Sequence, residues 1–68
     1  MGFIRRQEER FAAKVLAWQY QRMGAPLPSS DELRRKAEGI VDDAHRIAKE
    51  RGSNVLTIVK ELIADIRK

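Results

Sequence analysis

The stretch from Ser29 to Gly52 constrains this chain more than any other, because it carries a start signal, a stop signal and a single apolar face between them. Ser29-Ser30-Asp31-Glu32 fits a capping box. In that arrangement the Ser29 hydroxyl accepts from the backbone N–H of Glu32, and the Glu32 carboxylate accepts from that of Ser29. Asp31 and Glu32 set negative charge against the positive end of the helix dipole, while Lys49 and Arg51 set positive charge against the other end. Gly52 then stands where a C′ residue turns left-handed without a Cβ penalty. Between these ends Leu33, Ala37, Ile40, Ala44 and Ile47 recur at spacings of four and three, and Val41 and Ala48 widen the line into a band. Such a face has to be buried. The spacing predicts a seam in which the alanines admit a neighbouring helix closely and Leu33, Ile40 and Ile47 act as the larger knobs. Asp31 with Arg35, Glu32 with Lys36 and Asp42 with Arg46 are expected as solvated pairs four residues apart, each contributing about 0.2–0.5 kcal/mol.

Two further helical segments flank this one. From Phe3 to Met23, Ile4, Phe11, Val15 and Trp18 share one narrow sector at about 100° per residue, and Ala12, Leu16 and Met23 fill the next. Two adjoining apolar sectors suit a helix that touches two neighbours. Gly24, Pro26 and Pro28 end it, and the short stiff linker Gly24-Ala25-Pro26-Leu27-Pro28 favours an antiparallel return. Pro28 and Leu33 stand at the staple positions around the cap. After Gly52, Ser53 or Asn54 can cap a third helix whose stripe is Val55, Ile58, Val59, Leu62 and Ile66. Its β-branched content is strand-like, but its spacing is helical and the chain offers no second strand to pair with it. The predicted fold is therefore all-α: one domain over residues 1–68, a small three-helix up-down-up bundle with a long central helix, its helices near 3–23, 30–51 and 54–67.

Two candidate contact regions follow from those lengths. The third helix is about two-thirds as long as the others, so it stops before Trp18, Tyr20 and Met23, leaving that end to Leu27, the linker and the start of the central helix. Either the linker closes this aromatic end or it stays open as a partner-binding patch. Leu56 and Ile63, seven apart on the shoulder of the third stripe, form either the flank of a wide core or the seam of a homodimer.

Composition narrows the classes. A chain of 68 residues buries only about 60% of the surface its unfolded form exposes, so its stability margin should be small. It has no cysteine, which removes disulfides and thiolate metal sites and makes a reducing cytoplasm the expected setting. No apolar run approaches the roughly 20 residues of a membrane span, the first residues lack the apolar region of a secretory signal, and Arg6 stands where a myristoylation signal prefers Ser or Thr. The net charge of +4 is uneven: up to Met23, Arg5, Arg6, Arg10, Lys14 and Arg22 face only Glu8 and Glu9. Arg6, Arg10 and Lys14 line up four residues apart as either a solubilising face or a strip for phosphates or an acidic protein. With Phe11 and Trp18 assigned to the apolar side, that strip has no expected aromatic platform for bases to stack on.

One motif resembles a known family. Ile47-Ala48-Lys49-Glu50-Arg51-Gly52 followed by Ile58 is similar to the DNA-binding helix-turn-helix pattern of alanine, glycine four residues on and an aliphatic residue six beyond it. That resemblance implies a recognition helix after Gly52 reading the major groove. Against it, Arg51, Ser53 and Glu61 occupy positions the pattern fills with apolar residues. Val55, Leu56, Val59 and Ile63 would meet base edges, and the leading helix is far longer than the motif uses. Catalytic chemistry has little to work with. His45 is the only histidine and Asp42 three residues before it could orient it, but neither a nucleophile nor further metal ligands accompany the pair. Asp42-Asp43 has no matching acidic set, and the four glycines are too scattered for a phosphate loop. Gly39, mid-helix and off the buried face, costs about 1 kcal/mol relative to alanine. The expectation is a small protein-interaction domain acting through helix faces, with self-association open, and no catalytic residue, cofactor, metal, membrane or small-molecule substrate. The alternative is a weak nucleic-acid or anionic-partner binder using Arg6, Arg10 and Lys14.

Overall fold

Ser29 starts the central helix by the mechanism its sequence context prescribes. In the computed structural model, which describes residues 2–66, its backbone is extended and its Oγ accepts from the Glu32 N–H at 3.3 Å. Only this serine half of the capping box forms. The chain folds into α1 (Gly2–Met23), α2 (Ser30–Arg51) and α3 (Val55–Ala64). At the end of α2, Gly52 takes φ 68° and ψ 28°, and both its N–H and that of Ser53 reach the carbonyl of Ala48. This is the left-handed close that glycine provides at no steric cost. Gly24 ends α1 in the same way at φ 69°, with the Ala25 N–H donating to the Tyr20 carbonyl at 3.0 Å.

Asn54, rather than Ser53, caps α3, its side-chain oxygen accepting from the Leu56 N–H at 2.8 Å. Leu56 borders Ile4 and Gln7 near the start of α1, whereas the Ile66 carbonyl, beyond the end of α3, accepts from Gln19 Nε2 at 3.1 Å. The third helix thus runs parallel to the first and antiparallel to the second, the up-down-up order. It is shorter than its stripe suggested. The α-helical ladder stops at Ala64, and the Ile66 N–H donates to Ile63 in a tighter turn; the expected end at residue 67 lies outside the described residues. Ten residues span about 15 Å, so α3 covers less than half of α1.

The core comprises Ala12 and Leu16 from α1, Ala37, Val41, Ala44 and Ala48 from α2, and Ile58, Val59 and Ile63 from α3. Along α2 the dry line is therefore the alanines with Val41. Leu33, Ile40 and Ile47, expected as its central knobs, are half-buried and pack on its flanks. Three alanines at the centre let α1 and α3 approach α2 together, and the large side chains come mostly from the partners: Leu16, Ile58, Val59 and Ile63.

Polar contacts join the helices differently from the pairs expected on α2. Asp42 does not pair with Arg46; it accepts from Arg5 of α1 at 2.6 Å, and Arg5 also donates to Glu9 at 2.6 Å. Asp31 and Asp43 reach Arg34 and Arg46, three residues on, at 3.9 and 3.5 Å, so the four-residue pairs of Asp31 and Glu32 do not form. Hydrogen bonds to Glu9 first and Asp42 second hold the Arg5 guanidinium still more firmly charged than usual. Asp42 is exposed while Arg5 and Glu9 are half-buried at the rim, and a solvent-accessible pair of this kind contributes roughly 0–1 kcal/mol.

Candidate interaction surface

The sectors of α1 do not divide as their size suggests. The core direction must bisect α2 and α3, and it runs through Ala12 and Leu16. That leaves the bulkier sector, Ile4, Phe11, Val15 and Trp18, on the α3 side, where the short third helix cannot cover it. Phe3 is 74% exposed, Ile4 67%, Trp18 53% and Leu56 39%. The result is a shallow groove between α1 and α3.

Two adjoining hollows make up this groove and share Phe11 as a wall. The larger, about 570 Å³, lies between Val15, Trp18 and Met23 of α1 and Lys60, Ile63 and Ala64 of α3. The smaller, about 470 Å³, lies between Phe3, Ile4, Gln7 and Glu8 of α1 and Leu56 of α3, the Glu8 carboxylate being engaged by His45 at 2.7 Å. Arg22, one turn beyond Trp18, lays its guanidinium over the indole at 4.8 Å from the ring centre, a cation–π contact that fixes the ring at the rim. No carboxylate lines the larger hollow, and Arg22 and Lys60 make no ion pair among the described residues.

The residues singled out from sequence fall into separate places. Trp18 and Met23 share the groove, but Tyr20 is half-buried on the other side of α1, beside Lys36, Gly39, Ile40 and Ile66. The linker does not close the aromatic end: Leu27 points outward, half exposed. Leu56 is at the surface, whereas Ile63 is fully buried beneath the larger hollow, so the two do not form an exposed seam. The reason is axial: seven residues apart, the two share nearly one rotational position, but Ile63 lies level with the core while Leu56 lies at the start of α3 beside Phe3 and Ile4. Of the residues that a helix-turn-helix would turn to base edges, Val59 and Ile63 fill the core, so the resemblance is not carried into the fold.

Arg6 and Arg10 border a third hollow between α1 and α2, about 580 Å³, whose lining includes the carboxylates of Glu9 and Glu38. Lys14 is exposed further along α1. His45 does not turn to Asp42; its Nε2 lies 2.7 Å from Glu8 Oε1, joining α2 to α1. Sequence reasoning missed Phe3, Arg22 and Lys60. The four-residue step from Trp18 to Arg22 was a readable signal for a stacked pair, whereas Lys60 becomes part of the groove only through the tertiary placement of α3. Among the described residues no group of three or more histidine, cysteine or acidic side chains could hold a metal ion, and no helix is long and apolar enough to cross a membrane. In comparisons with family models, with curated proteins and with solved structures, nothing matches this chain.

Proposed function

We propose that this chain is a small helical protein-interaction domain that binds through helix faces and performs no catalysis of its own. The observation that supports this reading is the groove between α1 and α3, where a tryptophan, a phenylalanine and two aliphatic side chains remain at the surface of a domain too small to spare apolar area. Aromatic side chains in a concave, partly desolvated setting are the usual anchors of protein contacts. A cytoplasmic setting is part of the proposal and rests on the absence of cysteine.

Sedimentation of the purified chain, together with its use as bait, tests the reading. Self-association or specific capture is expected, and Trp18→Glu with Leu56→Glu should abolish it while circular dichroism stays helical. A strictly monomeric chain that captures nothing in either form would count against it. Ile63 is not a useful position for this test, because a charge there unfolds the core.

A second reading is supported by the exposed cations Arg6, Arg10 and Lys14, none of which makes an ion pair among the described residues. It predicts oligonucleotide binding that weakens with salt and with Arg10→Glu and Lys14→Glu. Flat titrations at low salt remove it.

A further inference from the structure

Resting on the interaction reading, we infer that the groove between α1 and α3 receives an acidic amphipathic helix, which docks as the fourth helix of the bundle. Groove shape argues for a helix. The site is a furrow between two parallel helices and offers no sheet edge to satisfy the backbone of an extended peptide. Walled on both sides it runs for the ten residues of α3, about 15 Å or nearly three turns of helix, and α1 alone extends it at either end. A helix set antiparallel to α1 and α3 completes an up-down-up-down bundle, with apolar side chains at i, i+3, i+4 and i+7 entering the two hollows on either side of Phe11.

Charge argues for acidity. Arg22 and Lys60 stand on opposite walls of the larger hollow, one from each helix, with no carboxylate in its lining. Of the acids nearest to it, Glu61 faces Arg51 of α2 at 3.4 Å, and Asp65, the C-cap of α3, is not among the residues that line the hollow. An occupant with carboxylates flanking its apolar stripe meets both walls, and one with lysines there is repelled by both. A nucleic acid fits less well, because Arg22 already covers one face of the indole and the floor of the hollow is aliphatic rather than cationic.

The test is selection of a displayed library of random 16-residue peptides on the intact chain, followed by binding of the enriched peptides monitored by Trp18. That residue is the only tryptophan and lies in the groove, so its fluorescence reports occupancy directly. Enriched peptides should carry helical apolar spacing with net negative charge, shield Trp18 from quencher and bind less well as salt rises. Arg22→Glu with Lys60→Glu, at two exposed positions that leave the fold intact by circular dichroism, should weaken them about tenfold and admit lysine-flanked versions instead. Enrichment of neutral or basic peptides, shielding of Trp18 by self-association alone, or no enrichment at all would each overturn the acidic occupant. The first two leave the interaction reading standing. Shielding of Trp18 by an oligonucleotide and by no peptide overturns both.

Discussion

Leu16 and Trp18 are two residues apart on one helix, and their surroundings are opposite. Leu16 is enclosed by the alanine line of α2 and the isoleucines and valine of α3, while Trp18 stands half in solvent with an arginine over its ring. Both belong to apolar sectors of α1, and Trp18 has the larger surface to bury. What separates them is the reach of the neighbours. The long helix α2 runs alongside α1 and its small residues allow close contact, whereas α3 is ten residues long and leaves both ends of its side of α1 uncovered. A side chain is buried here according to which neighbour it faces and how fully that neighbour covers it, not according to its own hydrophobicity.

Substitutions can break or sharpen that contrast. Leu16→Ala removes the largest fully buried side chain and should cost about 3 kcal/mol, close to the whole stability of a domain this size. Urea unfolding followed by circular dichroism should therefore find it mostly unfolded; retention of near-normal stability would place the core elsewhere. Ala44→Leu tests the seam from the other side. A larger residue at this closed position should push the helices apart and cost roughly 1–3 kcal/mol, while the same measurement on Ala17→Leu, away from the core, should move little.

Gly39 sharpens the comparison in the opposite direction. A Cβ at that position would meet nothing within 4 Å, so Gly39→Ala should stabilise the chain by about 1 kcal/mol through helix propensity, read as a higher urea midpoint. No gain would show that something approaches the helix there. Trp18→Ser should cost clearly less than Leu16→Ala by the same urea measurement, although the tryptophan is the larger side chain, because half of the ring is already hydrated.

The parts of this fold that local chemistry dictates were legible in the sequence. Ser29, Gly52 and Gly24 mark helix ends because a side-chain acceptor or a left-handed glycine does its work within a few residues. The three helices and their order follow from those marks together with the spacing of the apolar residues. The rotation of each helix was not legible to the same degree, since it depends on where two neighbours sit. In α1 the sector with the greater apolar bulk contains Ile4 and Trp18, yet the core passes through Ala12 and Leu16, in line with the charged Arg5. That arginine is accommodated because Asp42 and Glu9 receive it at the rim of the bundle, a pairing between residues 37 apart that no local pattern announces. The same limit applies to the surface. Trp18 was readable as a candidate contact, but its alliance with Lys60 and its separation from Tyr20 and Ile63 arise only when α3 is placed.

The most direct test of this account is the access of water to its single tryptophan, at a dilution where sedimentation finds only monomer. If α2 forms the closed seam and α3 leaves the opposite groove open, quenching of Trp18 by acrylamide in the folded chain should be about half that of the urea-unfolded chain or more, in keeping with a ring that is half exposed. A Trp18 several-fold protected in the folded monomer would mean that the groove is closed, and the division between a sealed side and an open side of α1 would be wrong.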